Sequence, residues 1–350
     1  MWVLIVSGAT GEFEHDRAGH PERPGRIEAV MLGIDDLRLG TDVEFVAATT
    51  ADRDSLERVH DPSYLDELAA FCHEGGGDVD PDTYATVHSW TAALRAAGAG
   101  LAAIAALRQR GDGVAFVAAR PPGHHALVDR AMGFCLVNNV AVAAASLAAE
   151  GERVLIVDWD VHHGNGTQAI FWDDPNVMYV STHQWPLFPG TGRAGQVGGG
   201  HAVGGTVNIP LPRRATGDVV RQALEEVALP AIERFQPTWV LVSAGFDAHR
   251  ADPMAELSLS SGDFGDLARL VSGFAPQPGR LALFLEGGYD LGALRMSVAT
   301  TLGALLGGPY QPEEPTFGGP GTEMVQQART ERVDAIRRAQ DAAPSEESLP

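Results

Sequence analysis

Two carboxylates and a histidine follow a single apolar run of the sequence at alternate positions. The run covers residues 154–157, and the polar residues are Asp158, Asp160 and His162. Because the side chains of a strand alternate between its two faces, these three leave the backbone on one face and can converge on one point. Carboxylate and neutral imidazole are zinc ligands, and three protein ligands beside an open position define a catalytic zinc site. The spacing therefore predicts metal chemistry at this strand end, and the alternative is a solvated strand end with a helix cap.

Three further apolar runs end in residues that can do chemistry. One ends in the adjacent histidines His124 and His125, which suit general acid and base work near neutral pH. A second ends in Asp247, a further carboxylate ligand, and a third leads through two glycines to Tyr289. Ligands of open α/β sheets bind just beyond the carboxyl ends of the strands, so these four strand ends predict one shared site.

The chain resembles the histone deacetylase superfamily over about residues 1–305. The segments that carry the resemblance are HPERPGR at 20–26, RPPGHH at 120–125, GFC at 133–135, DWDVHHGNG at 158–166, FPGTG at 188–192, AGFD at 244–247 and GGY at 287–289. The fourth of them is similar to the class II branch and its bacterial amidohydrolase relatives. The resemblance implies the three-layer arginase/deacetylase fold, an α/β fold in which helices flank a mainly parallel sheet with the active site at the carboxyl ends of its strands. It also implies a zinc-dependent hydrolase that removes acetyl groups from amines.

The resemblance assigns the zinc ligands by position to Asp160, His162 and Asp247. The arginases share the fold but use two manganese ions, and their additional carboxylates stand where this chain has Gly164 and Gly245. Because glycine offers no ligand, we expect one zinc per chain and no second catalytic metal.

The same carry-over makes His124 and His125 the catalytic histidine pair and Tyr289 the residue that polarises the acetyl carbonyl. In the family Asp158 orients the first histidine, whereas neutral Asn165 stands opposite the second, where some relatives have aspartate. A neighbouring carboxylate favours the protonated imidazole, so we expect His124 to be the more readily charged of the pair and His125 to be the free base.

Other family positions concern a second ion and the inner end of the site. The family binds a monovalent cation beneath the zinc strand, and Asp158 and Ser181 match the two side chains of that site, so a structural K⁺ or Na⁺ is expected. Arg26 matches an arginine associated with the inner acetate channel of related enzymes, and its alternative role is a structural ion pair.

The substrate tunnel of the family is narrow and aromatic, and Phe134 and Phe188 match its two walls. Polyamine-selective members carry a glutamate directly after the Asp-Pro pair at 252–253, where this chain has Met254. The uncharged methionine favours acetyl-lysine over acetylpolyamine substrates. The remaining residues expected at the substrate site are Gly133, Gly287 and Gly288.

Composition indicates one catalytic domain at residues 1–308, followed at 309–350 by a linker, a possible short helix over 322–340 and a loose tail. The alanine-rich stretch 91–110 is interrupted by Arg95, Gly98 and Gly100, and it is expected to be a buried helix rather than a membrane span. No basic leader precedes the first apolar residues, and two cysteines give no disulfide framework, so a reducing cytoplasm is expected.

The balance of 25 basic and 46 acidic residues gives a net charge of -21, which argues against direct nucleic-acid binding. Three functions stay open: an N-acetyl-lysine deacetylase acting on a protein, peptide or small molecule; an acetylpolyamine amidohydrolase; and a catalytically weak acyl-lysine binding module. Low-activity relatives replace the motif tyrosine with histidine, whereas this chain keeps Tyr289, which favours an active enzyme. The physiological substrate and the oligomeric state are left open.

Overall fold

A parallel sheet forms the middle layer of the computed structural model, which describes residues 3–7 and 11–342. The strands are β1 (Val3–Ser7), β2 (Val43–Ala47), β3 (Gly76–Asp78), β4 (Tyr84–Thr86), β5 (Val114–Ala118), β6 (Val154–Asp158), β7 (Val177–Gln184), β8 (Thr206–Leu211), β9 (Trp239–Ala244) and β10 (Leu281–Leu285). Eight of them pair in the order β2-β1-β5-β10-β9-β6-β7-β8, and every pairing in this sheet is parallel. Strands β3 and β4 form a separate antiparallel hairpin. All eight carboxyl ends therefore lie at one edge of the main sheet.

The helices connect the strands and cover both faces of the sheet. They are α1 (Gly11–Glu14), α2 (Gly25–Asp36), α3 (Arg53–Glu57), α4 (Pro62–His73), α5 (Ser89–Arg110), α6 (Asn139–Ala149), α7 (Asn165–Ile170), α8 (Gly217–Ala223), α9 (Leu229–Phe235), α10 (Ser261–Ser272), α11 (Leu291–Leu305) and α12 (Thr322–Ala342). Helices α4, α5 and α6 pack on one face, and α2, α10 and α11 pack on the other. The predicted three-layer α/β fold with a mainly parallel sheet is confirmed.

The apolar residues along the strands explain why both faces of the sheet are buried. Strand β1 sends Val3 and Ile5 into the core beneath α2 and sends Leu4 and Val6 into the core beneath α4 and α5, as the two-residue period of a strand requires. Because helices cover both faces, central strands such as β5, β6 and β10 are near-continuous apolar runs rather than alternating ones.

Helix α5 covers the stretch that was expected to be buried. It is the one described helix long and apolar enough to span a membrane, and 56% of its most apolar window is buried in the protein. A Cβ atom added at Gly98 would come within 1.8 Å of the Thr49 carbonyl oxygen, so the glycine permits close packing of this helix. The burial agrees with its role as a core helix.

The segment after the main domain is tied to it. Helix α12 starts at the predicted residue and has 21 residues, so it ends two residues beyond the predicted position 340. Its residues Val325 and Ala328 are buried, and the Arg332 guanidinium donates to the carbonyl oxygens of Gly204, at 2.6 Å, and Thr206. The segment predicted as a linker is also hydrogen-bonded to α10: the Ser261 N–H donates to Glu313 at 2.8 Å, and the Thr316 hydroxyl donates to Asp263 at 2.6 Å. The predicted loose tail falls on residues 343–350, which lie outside the described residues.

Candidate active site

The four strand ends singled out in the sequence belong to four neighbouring strands, β5, β10, β9 and β6. The backbone after β5 carries the histidine pair, β10 leads to Tyr289, β9 to Asp247, and β6 to Asp160 and His162. The sheet order therefore brings residues separated by more than a hundred positions to one place at its carboxyl edge.

Asp160, His162 and Asp247 form a compact buried triad. Their ligand atoms lie within 4.8 Å of one another, and His162 Nδ1 is 3.1 Å from both Asp160 Oδ1 and Asp247 Oδ2. Backbone N–H groups fix both carboxylates: Val161 donates to Asp247 at 2.9 Å, and Gly287 donates to Asp160 at 2.8 Å. The three side chains are thus held in position for a common cation.

The electrostatics of the triad also fit a cation. Burial, followed by the adjacent Asp160 carboxylate, raises the pKa of Asp247 to about 7. Burial would lower the pKa of His162, but hydrogen bonds to Asp160 and Asp247 raise it to about 10. The negative charges of two buried carboxylates repel each other, and a divalent cation between them would reduce that repulsion. The donor set and its charge therefore fit a zinc ion.

The glycines at the arginase-type positions have no room for a side chain. A Cβ atom at Gly164 would lie 2.2 Å from Asp158 Oδ2, and one at Gly245 would lie 2.0 Å from Asp160 Oδ2. A carboxylate at either position would require the site to rearrange. Among the described residues, the triad is also the one group that could hold a metal ion.

The two histidines have different partners, as expected. Nδ1 of His124 is 3.0 Å from Asp158 Oδ2, and Nδ1 of His125 is 2.7 Å from Asn165 Oδ1. The ring centroids are 4.0 Å apart. The Tyr179 hydroxyl donates a hydrogen bond to the same Asp158 oxygen at 3.0 Å and helps to fix the position of that carboxylate.

These partners set opposite pKa directions. Burial lowers the pKa of His124, but Asp158 and then Asp160 outweigh it, and the pKa rises to about 10. Burial lowers the pKa of His125 well below its ordinary value, and the neighbouring His124 and His162 lower it further. These opposite directions make His124 the more readily protonated member of the pair and favour neutral His125, in the direction that the sequence predicted.

Glu286 forms hydrogen bonds to the turn that carries the histidines, a role that the sequence did not indicate. Its Oε2 accepts hydrogen bonds from the backbone N–H of Gly123 at 2.7 Å and of His124 at 3.1 Å. Its Oε1 accepts from the Ser243 hydroxyl at 3.3 Å. Glu286 directly follows the apolar strand β10, and a carboxylate at a strand end was the available signal.

Tyr289 is held from two sides. Its backbone N–H donates to Asp252 Oδ2 at 2.6 Å, and the Arg26 guanidinium carbon lies 4.9 Å from its ring centroid. Arg26 is fully buried, donates to the Gly288 carbonyl at 2.7 Å and forms an ion pair with Glu22. Burial raises the pKa of the Tyr289 phenol well above its ordinary value, so the phenol keeps its proton. The support from Asp252 could not be foreseen, because it comes from a loop 37 positions away.

A narrow cavity of about 160 Å³ leads to these groups. Phe134 and Phe188 both line it: the Phe134 ring meets Tyr289 edge-on at 5.7 Å, and the Phe188 ring meets His125 at 5.1 Å. The other lining residues are Asp82, Pro122, His124, His125, Gly133, His162, Leu187, Met254, Gly287 and Tyr289. Asp82, Pro122 and Leu187 were not predicted, since Asp82 lies outside the matched motifs and the other two side chains carry no reactive group.

Gly288 lies elsewhere than predicted, and Ser181 has a neighbour that the sequence did not indicate. Gly288 does not line the cavity; it has a φ of 120°, and its carbonyl accepts the bond from Arg26, so it shapes the turn before Tyr289. Ser181 pairs with Asp158 across β6 and β7, but its hydroxyl lies 2.9 Å from His183 Nδ1. Its predicted role at a monovalent cation stays a prediction.

The fold and this site define a class of deacetylase-type hydrolases, and the comparisons with known proteins agree. The sequence profile described as the histone deacetylase domain matches residues 20–305. The chain belongs to the histone deacetylase family.

Individual relatives cover most of the chain. It is 38% identical over 358 residues to Histone deacetylase 14, chloroplastic, of Arabidopsis thaliana, covering 96% of this chain and 83% of that protein. It is 42% identical over 312 residues to a probable deacetylase of Methanothermobacter thermautotrophicus, covering 87% and 91%. The crystal structure of the HDA15 HD domain superposes with a TM-score of 0.86 at 31% identity, covering 97% of this chain and 98% of that one.

Proposed function

We propose that this protein is a zinc-dependent amidohydrolase that removes acetyl or other acyl groups from N-acetyl-lysine-type substrates. The observation that carries the proposal is a narrow aromatic cavity that ends at a buried triad, a histidine pair and a tyrosine. These are the parts that amide hydrolysis needs: a metal site, a base, an acid and a donor for the oxyanion.

Asp160, His162 and Asp247 would hold one zinc ion per chain. When bound, zinc supplies a Lewis acid for the amide oxygen and lowers the pKa of a water molecule to about 7. The crowded positions of Gly164 and Gly245 favour a single metal ion in this site.

The histidine pair would move the protons. His125 is neutral and borders the cavity, so it takes a proton from the attacking water and returns it to the departing amine nitrogen. His124 stays protonated beside Asp158 and contributes a fixed positive charge next to the reacting atoms. Asn165 Oδ1 accepts a hydrogen bond from the Nδ1–H of His125, which leaves Nε2 free to act as the base.

Tyr289 would stabilise the oxyanion. Its phenol, with a raised pKa, keeps its proton and can donate a hydrogen bond to the oxygen on which charge develops. Arg26 and Asp252 act through Tyr289 and are positioning residues.

The cavity walls would select the substrate. Phe134 and Phe188 can hold the aliphatic chain of a lysine by apolar contact, and Met254 offers no charge for the secondary ammonium of a polyamine. Asp82 is the observation that favours the second candidate, acetylpolyamine hydrolysis, because its carboxylate also lines the cavity. The retained tyrosine argues against a binding module without activity.

Other expectations accompany the proposal. A structural K⁺ or Na⁺ near Asp158 and Ser181 stays part of it. The partners we propose are acetylated proteins, peptides or small amines, without nucleic acid or membrane. Cys72 and Cys135 are free and buried, which is compatible with the proposed reducing cytoplasm.

A deacylation screen tests the proposal. The purified, zinc-loaded protein is assayed against acetyl-lysine peptides, acetylputrescine, acetylspermidine and longer acyl-lysines, with Asp247→Asn as the matched variant that lacks a ligand. We expect release of acetate from acetyl-lysine peptides and none from the variant. Turnover confined to acetylspermidine would support the second candidate, and binding without any turnover would overturn both.

A further inference from the structure

A second cavity, of about 370 Å³, opens beside the active-site cavity and has no part in the chemistry described above. Its apolar lining comes from Tyr64, Leu68, Phe71, Val79 and Ala131. Its charged lining comes from Glu67, Asp78, Asp129 and Arg130, all of them exposed. It is thus an apolar hollow with a charged rim.

Two short segments form the wall between the two cavities. In the turn after β3, Val79 lines the second cavity and Asp82 lines the first, and the turn is closed by the bond from Val79 N–H to the Thr83 carbonyl at 2.8 Å. In the other segment, Ala131 lines the second cavity and Phe134 lines the first. The Phe134 N–H donates to Thr83 Oγ1 at 3.0 Å, so the two segments form one wall.

This wall is thin compared with the reach of a peptide. An extended chain spans at most about 3.6 Å per residue, so Ala131 and Gly133, two positions apart and on opposite sides of the wall, have Cα atoms at most about 7 Å from each other. A peptide whose acetyl-lysine enters the first cavity lies with its backbone at the mouth. A side chain two or three residues from that lysine can therefore reach over the wall.

The chemistry of the second cavity selects an apolar group. Val79 is 36% exposed and Phe71 is half-buried, so both offer apolar surface that a ligand could cover. Acidic residues outnumber basic ones at the rim, where Glu67, Asp78 and Asp129 accompany Arg130, and Asp78 pairs with Arg17. Burial, followed by the neighbouring Asp80, raises the pKa of Asp82, as expected where negative charges crowd together. An acidic substrate residue would meet repulsion there.

We propose that this cavity is a subsite for a large apolar side chain located two or three residues from the acetyl-lysine of a peptide substrate. The inference rests on the proposed function and makes it more specific. The substrate class is an acetylated peptide or protein segment with an apolar flanking residue, and an acetylpolyamine has no group that would fill the hollow.

The test uses hexapeptides that carry one acetyl-lysine and phenylalanine, alanine or glutamate at a single flanking position, together with acetyl-lysine blocked at both ends. We expect kcat/KM in the order Phe, Ala, Glu at one position two or three residues from the lysine, with Phe about tenfold above Ala, which corresponds to about 1.4 kcal/mol. In Val79→Asp the ratio of Phe to Ala should fall to near one. The matched control is Val87→Asp, because Val87 is also exposed but does not line the cavity. Each ratio is internal to one protein preparation, so partial misfolding does not affect it.

A second variant tests separately how the charge of the rim affects substrate preference. Glu67→Arg reverses one exposed charge at the cavity and should raise kcat/KM for the glutamate peptide relative to the alanine peptide. Equal rates for Phe, Ala and Glu at every position, or a preference for Phe that survives in Val79→Asp, would overturn the subsite. Absence of turnover even with blocked acetyl-lysine would instead overturn the proposed function.

Discussion

Glu313 Oε2 lies 2.8 Å from Nε2 of His249, although Glu313 stands outside the segment matched by the family profile. Nδ1 of His249 accepts a hydrogen bond from the Ala251 N–H at 3.1 Å, so Nε2 carries the proton and donates a hydrogen bond to the carboxylate. The same glutamate also accepts from the Arg250 guanidinium and, at 2.8 Å, from the Ser261 N–H. The segment after the main domain therefore anchors the loop that follows Asp247.

This anchor gives the first prediction. Glu313→Ala should lower the affinity of the triad for zinc several-fold and lower the melting temperature. The reason is that the substitution removes the hydrogen bonds through which Glu313 connects His249, in the loop after Asp247, to Ser261 of α10. Glu314→Ala is the matched control, since that neighbouring side chain is exposed. Competition with a zinc chelator and thermal denaturation measure the two effects, and equal zinc affinity in both variants would contradict the anchor.

The anchor also predicts a dependence of stability on pH. Burial raises the pKa of Glu313, but the bonds from Ser261 and His249 outweigh it and lower the pKa to about 2, below the ordinary value of 4.5. The folded protein thus binds this proton more weakly than the unfolded chain does. The contribution is fully present above pH 4.5 and is lost as the pH falls towards 2. Glu313→Gln should remove this part of the acid sensitivity, and denaturant unfolding between pH 5 and 3 measures it; parallel stability curves for the two proteins would argue against the shift.

The sequence could predict the site where residues lie on strand ends, and it failed where the structure depends on contacts between distant segments. Asp160 and His162 were predictable because they follow an apolar run directly and the parallel sheet fixes their edge, although β6 itself ends at Asp158. Glu313 was not predictable, because it contacts a loop 64 positions earlier and its segment reads only as Pro- and Glu-rich. The ring contact between Arg26 and Tyr289 likewise joins opposite ends of the domain. Local patterns thus located the reacting groups, whereas the residues that support them required the three-dimensional structure.

The metal content follows from the triad and its crowded glycines. We expect elemental analysis of the purified protein to give one zinc per chain and chelation to abolish turnover, with recovery when zinc is returned. Two catalytic manganese ions per chain, both needed for activity, would contradict the single site.

The role of Tyr289 predicts a defined loss. Tyr289→Phe removes one donor to the oxyanion and should lower kcat by a factor of about 100 to 1000, the usual range for such a donor, while zinc content and melting temperature stay unchanged. Tyr310→Phe is the control, because Tyr310 lies in the segment after α11 and does not line the cavity. Undiminished turnover in Tyr289→Phe would remove the residue from the mechanism.

The last prediction concerns Met254, which lines the cavity with only a flexible apolar side chain. A polyamine brought to this rim loses water from its secondary ammonium and gains no ionic partner from the methionine. Met254→Glu supplies that partner and should shift the kcat/KM ratio of acetylspermidine to acetyl-lysine peptide upwards by about tenfold, which corresponds to about 1.4 kcal/mol. Met324→Glu on α12 is the control, since that methionine does not line this cavity. Because Asp82 already contributes one carboxylate to the lining, the unmodified protein is the decisive comparison. If it already prefers acetylspermidine, Asp82 rather than residue 254 selects the substrate.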